Sequence, residues 1–494
     1  MRALLISTYD MGRQPFGLAS PAAWLRAAGW DVVCLDLAKD QFDAGRIEGA
    51  ALVGFHLPMH TATRLAGPII ARTRTLNPSA RLCAYGVYAP LNEPWLRALG
   101  VDAVFGGEFE SELTRWAGAA GLKVCATETT SDLKARATAV RADVKCATET
   151  NTGPKASATE TPSSQPIPVA QPFRAARVGR VPRIRFLVPD RATLPPLSQY
   201  ATLQFPDGTR RLVGYTEASR GCRHRCRHCP IVPVYDGQFR IVQPEVVLAD
   251  VDAQVAAGAR HVTFGDPDFL NGPRHALRIV EALHAEHPGV SYDVTIKIEH
   301  LLQHRDLLPR LARTGCAFVT SAVESVDDRV LALLDKGHTR ADFLQAVTLT
   351  ERAGLTLVPT FVAFHPWLTL EGYCDLLDTV EQLNLIDHVA PIQFAIRLLV
   401  PEGSRLLERE AMRRHVQGFD PATLSYRWVH PDPRVDALHG EVSAIVGAKL
   451  TVDRRAAFDA IRTLAHDRAG LPCRPRKPAR DRSTVPYLNE PWYC

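Results

Sequence analysis

Residues 219–230 read SRGCRHRCRHCP and set Cys222, Cys226 and Cys229 at C-x3-C-x2-C, directly after GYTEA (214–218), which reads as a strand. Three thiolates on one such loop can converge. Cysteine thiolates are the usual ligands of iron–sulfur clusters, and three of them holding four irons leave one iron open to a small molecule. The same soft donors would hold zinc, with His224 or His228 as the fourth ligand. The spacing alone leaves both open.

Downstream of the cysteines, strand-like and helical segments alternate. A helix over 244–257 precedes HVTFG (261–265), and a helix over 274–286 precedes VSYDVTIKI (290–298) and AFVTSAVES (317–325). Helices over 340–353 and 370–383 then flank TLVPTFVAF (356–364), and HVAPIQFAIRLL (388–399) closes the series. Repeated β-α units on this scale predict a full or partial (β/α) barrel over 183–400. Residues 401–494 read as a helical region with an irregular tail, Pro- and Arg-rich from Pro472.

Upstream, RALLIS (2–7), DVVCLDL (31–37), ALVGF (51–55), RLCAYG (81–86) and VDAVFG (101–106) alternate with helical stretches near 19–28, 63–75, 92–99 and 109–118. That pattern predicts an α/β, Rossmann-like, doubly wound domain over 1–118, with a parallel sheet covered on both faces. Ligands on such sheets sit at the carboxyl ends of the strands, which fall at 8–17, 56–60, 86–90 and 106–108. Between the two α/β regions, residues 119–182 turn rich in Ala, Thr, Ser, Pro and Glu, and KVCATET (123–129) is echoed by VKCATET (144–150). This reads as a low-complexity, disordered linker, with Cys125 and Cys146 as products of duplication rather than metal ligands.

Composition bounds the rest. With 494 residues, 46% hydrophobic and 22% charged, the chain can bury ordinary globular cores. A net charge of +5 is too small for a dedicated nucleic-acid binder. No stretch approaches the roughly 18 apolar residues of a membrane span, and an acid at Asp10 interrupts the opening MRALLISTYD before a signal-peptide core forms. The expected compartment is the cytoplasm. Eleven cysteines, an odd number, point to reduced thiols and metal rather than a disulfide framework.

The cysteine spacing after the first barrel strand, with the flanking SRGC, resembles the signature of the radical S-adenosylmethionine (SAM) superfamily. The resemblance implies a [4Fe-4S] cluster on Cys222, Cys226 and Cys229, whose open iron is chelated by the amino and carboxylate groups of SAM. Reductive cleavage of the sulfonium then gives a 5′-deoxyadenosyl radical that abstracts hydrogen from the substrate. In HVTFGDPDF (261–269) it places Gly265, Asp266 and Asp268 around the SAM amino group; the same residues also suit an ordinary strand-to-helix turn. The run SAVESVDDRVLALLDKGHT (321–339) resembles the fourth-strand motif, with Glu324 contacting SAM; the plainer role for that acid is capping the next helix. His228 stands where the family often has an aromatic residue and is a candidate to face the adenine. Lys297 and Arg397, charged residues on otherwise apolar strands, are further cofactor-binding candidates.

Residues 1–118 resemble the cobalamin-binding domain that precedes many such barrels, through PFGLASPAAWLRAAGWDVVCLDL, ALVGF and VDAVFGGEFESEL. The Asp-x-His-x-x-Gly ligand motif is absent: the first loop reads YDMGRQPFG, with Asp10 followed by Gly12 and no histidine before His56. The implied cofactor set is therefore the cluster, SAM and a cobalamin without a lower axial histidine from that loop. Methyl transfer to an unactivated carbon of a small-molecule or peptide substrate would follow, with flavodoxin or ferredoxin as electron donor. Two other classes remain at this stage: a cobalamin-independent radical SAM oxidoreductase or maturase with a degenerate front domain, and a zinc-stabilised binding protein. Cys473 and Cys494 in the tail are read as surface or terminal thiols.

Overall fold

A computed structural model describes residues 1–118, 184–205, 207–448, 454–473 and 487–488. The expected linker, with Cys125 and Cys146, and Cys494 in the tail lie outside the described residues.

The front strands form where the apolar runs place them: β1 (Arg2–Ser7), β2 (Asp31–Asp36), β3 (Leu52–His56), β4 (Arg81–Tyr85) and β5 (Ala103–Phe105). They pair in the order β2-β1-β3-β4-β5, all parallel. Central parallel strands are buried on both faces, which is why β1 and β3 read as unbroken apolar runs. Their core joins Leu4, Ile6, Val53, Phe55, Leu82 and Ala84. The helix Phe16–Ala27 lies over β1 and β2. Its Gly17 admits the ring of His56, because a Cβ there would sit 2.1 Å from the imidazole.

The second sheet comprises β6 (Thr202–Gln204), β7 (Arg210–Thr216), β10 (His261–Phe264), β11 (Ser291–Thr295), β12 (Cys316–Glu324), β13 (Leu357–Phe361) and β16 (Tyr487–Leu488), in the order β13-β12-β11-β10-β7-β6-β16. Strands β7 and β10 to β13 run parallel, whereas β6 and β16 add antiparallel at one edge. The short pair β8 (Ser219–Gly221) and β9 (Phe239–Ile241) frames the cysteine loop. Among the described residues this is a partial barrel with five parallel strands. Intervening helices cover it, among them Arg340–Arg352, which starts on a reciprocal Thr339–Asp342 capping box.

The expected strand at 388–399 is not formed. Ile386–His388 and Pro391–Phe394 are 3-10 turns, and only an isolated bridge joins Phe364 to Arg397. Pro391 cannot donate to a ladder, and the Gln393 side chain takes the place of a strand by accepting from the Phe361 N–H at 3.0 Å. The C-terminal region holds the helices Pro433–Ala448 and Arg454–Ala469, as read, together with a hairpin of β14 (Val416–Asp420) and β15 (Ser425–Trp428) that the helical reading did not contain.

The segment 184–201, assigned to the barrel by sequence, is laced to the front domain. The Asp190 N–H donates to Ala19 O, the Gln14 amide donates to Pro195 O, and the Tyr200 hydroxyl donates to Asp36 at 2.9 Å. The deepest link is ionic. The guanidinium of Arg220, 7% exposed, lies 2.6 Å from both Glu110 of the front domain and Glu217, among the rings of Phe16, Phe109 and Phe186.

Burial, with the Arg220 charge adding to it, pushes the His56 imidazole down to about 3. Its value in an unfolded chain is about 6.5, so between those limits the unfolded state holds a proton that the folded state refuses. Stability therefore falls as pH drops from about 6.5 towards 3, at up to about 1.4 kcal/mol per pH unit from this residue. His56→Gln, neutral throughout, is expected to flatten that part of the slope in urea unfolding at pH 7 and pH 5. An unchanged slope would mean that the ring is protonated in the fold.

Candidate functional site

The cysteine loop starts at Gly221, whose φ of 76° and close packing both demand glycine: a Cβ would meet the Tyr235 ring at 2.4 Å and Gln238 O at 2.6 Å. Cys222, Cys226 and Cys229 follow as free thiols. Burial pushes Cys222 up to about 12 and Cys229 up to about 11, with the neighbouring cysteines adding to the rise. Thiols held this way without a cation resist ionisation. A metal centre would reverse that balance by supplying positive charge to the sulfurs.

Two contacts from separate β-α units pin the loop. The Arg223 N–H donates to Asn271 Oδ1 at 3.2 Å, and Asn271 donates back to Gly221 O. The Arg227 N–H donates to Leu334 O at 2.9 Å, while its guanidinium donates to Ala332 O and Leu333 O. Those carbonyls end the helix Asp328–Leu334, where a cation is favoured.

The structure separates the acids that the sequence grouped. Asp266 accepts from the Ala218 N–H at 2.9 Å and from Ser219 Oγ at 2.5 Å, tying the end of β10 to the approach of the cysteine loop. Burial raises its carboxyl to about 7. Gly265 makes room for Tyr215, whose hydroxyl would lie 1.7 Å from a Cβ. Asp268 turns the other way, to His300 Nδ1 at 2.7 Å and His224 Nε2 at 3.4 Å. Lys297 sits beside this group, with Nζ 2.9 Å from Glu299 and 3.1 Å from His224 Nδ1.

Glu324 ends β12 with a φ of 68°, beyond a register shift in the pairing with β13. Its Oε1 lies 3.1 Å from His228 Nε2 and 3.4 Å from Lys336 Nζ. Burial alone would raise its carboxyl, but Lys336 and His228 hold it down at about 2. Glu324 is not a helix cap: Asp327 fills that position, accepting from the Arg329 N–H. Lys336 was not singled out by sequence. It is 3% exposed, and Glu324 and the sulfurs of Cys226 and Cys229 keep its ammonium charged against the cost of burial. His300 was also missed; its signal was a histidine three positions after Lys297 in IKIEH. Arg397 is not brought into this group. It stacks 3.7 Å over Trp428, pairs with Asp436 at 2.7 Å and serves the C-terminal packing.

Residues 216–383 match the radical SAM superfamily model, the segment that carries the cysteine loop and Glu324. Among curated proteins, the tRNA-2-methylthio-N(6)-dimethylallyladenosine synthase of Desulfosudis oleivorans is 27% identical over 209 residues, covering 40% of this chain and 44% of that protein. The hopanoid C-2 methylase of Rhodopseudomonas palustris is 22% identical over 198 residues, 39% of this chain and 37% of that protein. The chain thus spans under half the length of these relatives. Among solved structures, the cobalamin-dependent SAM radical enzyme OxsB, with aqua-cobalamin and SAM bound, superposes with a TM-score of 0.66 at 13% identity, covering 94% of this chain and 71% of that one. The radical SAM methyltransferase TsrM from Kitasatospora setae, with cobalamin and a [4Fe-4S] cluster bound, gives 0.54 at 16% identity, covering 78% and 70%. At these identities the superpositions show a shared fold, and the 94% coverage against OxsB reaches the front domain.

Glu324→Gln is expected to leave the Lys336 ammonium buried without a counter-charge and to lower stability by about 3 kcal/mol in urea unfolding. Adding Lys336→Met should recover part of that loss. A double variant no more stable than Glu324→Gln alone would show that the two side chains are not coupled.

Proposed function

We propose that this chain, a radical SAM superfamily protein through its domain at 216–383, is an enzyme that carries a [4Fe-4S] cluster on Cys222, Cys226 and Cys229 and methylates an unactivated carbon with a corrinoid held by the front domain. The observation that carries the reading is the trio of free thiols at the mouth of the barrel, Cys226 buried and Cys222 and Cys229 half-buried, within the charge influence of the Lys336 ammonium. The donor set fits the cluster. Of the candidate fourth ligands for zinc, His224 has both nitrogens facing other side chains, whereas His228 has Nε2 facing Glu324 and Nδ1 buried without a partner.

The front domain offers a polar edge for a corrinoid. Ser7, His56 and Tyr85 end three adjacent strands in register, and Ser7 Oγ, His56 Nδ1 and Tyr85 Oη are buried without hydrogen-bond partners. Such a row at the carboxyl ends of parallel strands suits amide-bearing groups. When bound, the cluster with SAM supplies a 5′-deoxyadenosyl radical and a corrinoid supplies a transferable methyl group.

The protein's own residues bind and orient. Lys336, which already feels the charge of Cys226 and Cys229, would offset the negative charge of iron held by their thiolates. Glu324, with Oε1 committed to His228 and Lys336, would use Oε2 for a hydroxyl or ammonium hydrogen of SAM. Asp266 fixes the start of the cysteine loop, which makes it a positioning residue, and Gly265 keeps the end of β10 low enough for Tyr215 to cover it. A small-molecule or peptide substrate would enter between the barrel mouth and the front domain, with a flavodoxin- or ferredoxin-type protein as electron donor. Among the described residues no helix is long and apolar enough to cross a membrane.

Anaerobic reconstitution with iron, sulfide and hydroxocobalamin tests the reading. The expected product is a brown protein with about four irons per chain that turns SAM into 5′-deoxyadenosine and methionine under dithionite. Cys226→Ala should abolish both the iron and the cleavage. Corrinoid absorbance should survive desalting; if it does not while SAM is still cleaved, the chain is a cobalamin-independent radical SAM oxidoreductase or maturase. A colourless protein loaded with zinc on the cysteines would overturn the proposal.

A further inference from the structure

A second set of metal-binding donors, containing no sulfur, lies beside the cysteine loop. His224 stands between the first two cysteines, Asp268 caps the turn Phe269–Asn271 after β10, and His300 lies in the helix Ile298–Gln303 after β11. Three separate chain segments thus bring His224 Nε2, Asp268 Oδ2 and His300 Nδ1 within 4.8 Å of one another. Asp268 and His300 are almost fully buried, with side-chain exposures of 2% and 1%, and His224 is 13% exposed.

The direction of these atoms matters as much as their spacing. His300 Nδ1 is 2.7 Å from Asp268 Oδ2, and His224 Nε2 is 3.4 Å from the same oxygen, yet none of the three atoms has a hydrogen-bond partner. At 2.7 Å a ring nitrogen fails to hydrogen-bond only when its hydrogen or lone pair points off the oxygen. The two imidazole rings are inclined at 59° with centroids 4.6 Å apart. A shared point about 2.0–2.2 Å from each donor would accept all three lone pairs, and donors around such a point lie about 3 Å apart.

We propose that His224, Asp268 and His300 bind a divalent first-row transition-metal ion, with zinc as the reference ligand, as a two-histidine, one-carboxylate site separate from the cysteine trio. The outer groups suit the assignment. His224 Nδ1 is 3.6 Å from Glu299 Oε2, and Glu299 also holds Lys297. Lys297 Nζ is nearer to Nδ1, at 3.1 Å, and can only donate to it, so Nε2 becomes a ligand atom when that ammonium stays on Glu299 and leaves Nδ1 its hydrogen. Asp268 Oδ1 accepts from the Leu270 N–H, which leaves Oδ2 for the ion. Three protein ligands leave at least one coordination position open, as in zinc sites that bind a further small ligand. The inference stands independently of the cluster reading, since the cysteines contribute no donor to it.

Equilibrium dialysis of the full-length, iron-loaded protein against Zn2+, with zinc and iron both measured per chain, tests the site. About one zinc per chain is expected, as for a single three-ligand site. His300→Ala and Asp268→Asn should reduce zinc to background while iron stays unchanged. Far-UV circular dichroism checks that these buried variants fold, and His224→Ala, in a partly exposed loop, carries the same expectation if either does not. Zinc content equal in all variants, or no zinc above background in the parent protein, would overturn the proposal. So would zinc that binds only after iron is stripped and is lost in Cys226→Ala, which would place it on the sulfurs. Zinc bound through His300 by a protein that takes up no iron would leave this site standing while the cluster reading failed.

Discussion

Three cysteines on eight residues of loop can act together only if that loop is held from outside. Ordering a backbone costs about 1–2 kcal/mol per residue, and irregular segments have no ladder of their own to offset it. The pair β8–β9 fixes only Ser219–Gly221 on the approach side. Beyond that the loop borrows its order. Arg227 reaches the carbonyls that end the helix Asp328–Leu334, and Asn271 grips both Gly221 and Arg223. The first of these contacts serves two needs at once: helix-end carbonyls lack partners within their own helix, and the loop lacks an anchor. The loop geometry is thus set by the ends of β10 and β12, the strands that also carry Asp266, Asp268 and Glu324.

Arg220 carries the same dependence into the front domain. Two residues before Cys222, its guanidinium is paired with Glu110 and Glu217 and enclosed by three phenylalanine rings. A buried pair of this kind adds little net stability against an apolar replacement, but losing one partner leaves an uncompensated charge. Its effect is therefore on position more than on total stability. Glu110 also accepts from Ser20 at 2.6 Å, so the helices Phe16–Ala27 and Phe109–Gly118 and the cysteine loop share one ionic centre. Lysine could not substitute, because one ammonium cannot present a planar fork to two carboxylates.

What the sequence made legible follows from the range of the interactions. Strands β1 to β5 and β10 to β13 lie within a few residues of their apolar runs, because burial on both faces writes itself into consecutive residues. The cysteine trio was legible for the same local reason. The run 388–399 misled because its apolar residues satisfy burial without a strand: Phe394 is buried within 3-10 turns after Pro391. Lys336 and His300 left little local signal, because their partners Glu324 and Asp268 lie far along the chain. Arg397 looked like a polar residue in a barrel, but the strand that would have pointed it inward does not exist.

The two acids of GDPD show how far a motif can be read before geometry must take over. A carboxylate near a sulfonium and an ammonium is chemically sensible, and both acids are buried at the right strand end. Asp266, however, spends its oxygens on the backbone and hydroxyl at 218–219, while Asp268 faces two imidazoles. Glu324 is the acid whose placement needs a cause beyond architecture. A side chain other than glycine at a φ of 68° costs on the order of 1–3 kcal/mol, and the register shift before it bends the strand end. The strained backbone carries the carboxylate to Lys336 and His228, next to the sulfurs. A strained strand end held in place by a buried ion pair separates Glu324 from the acids around it.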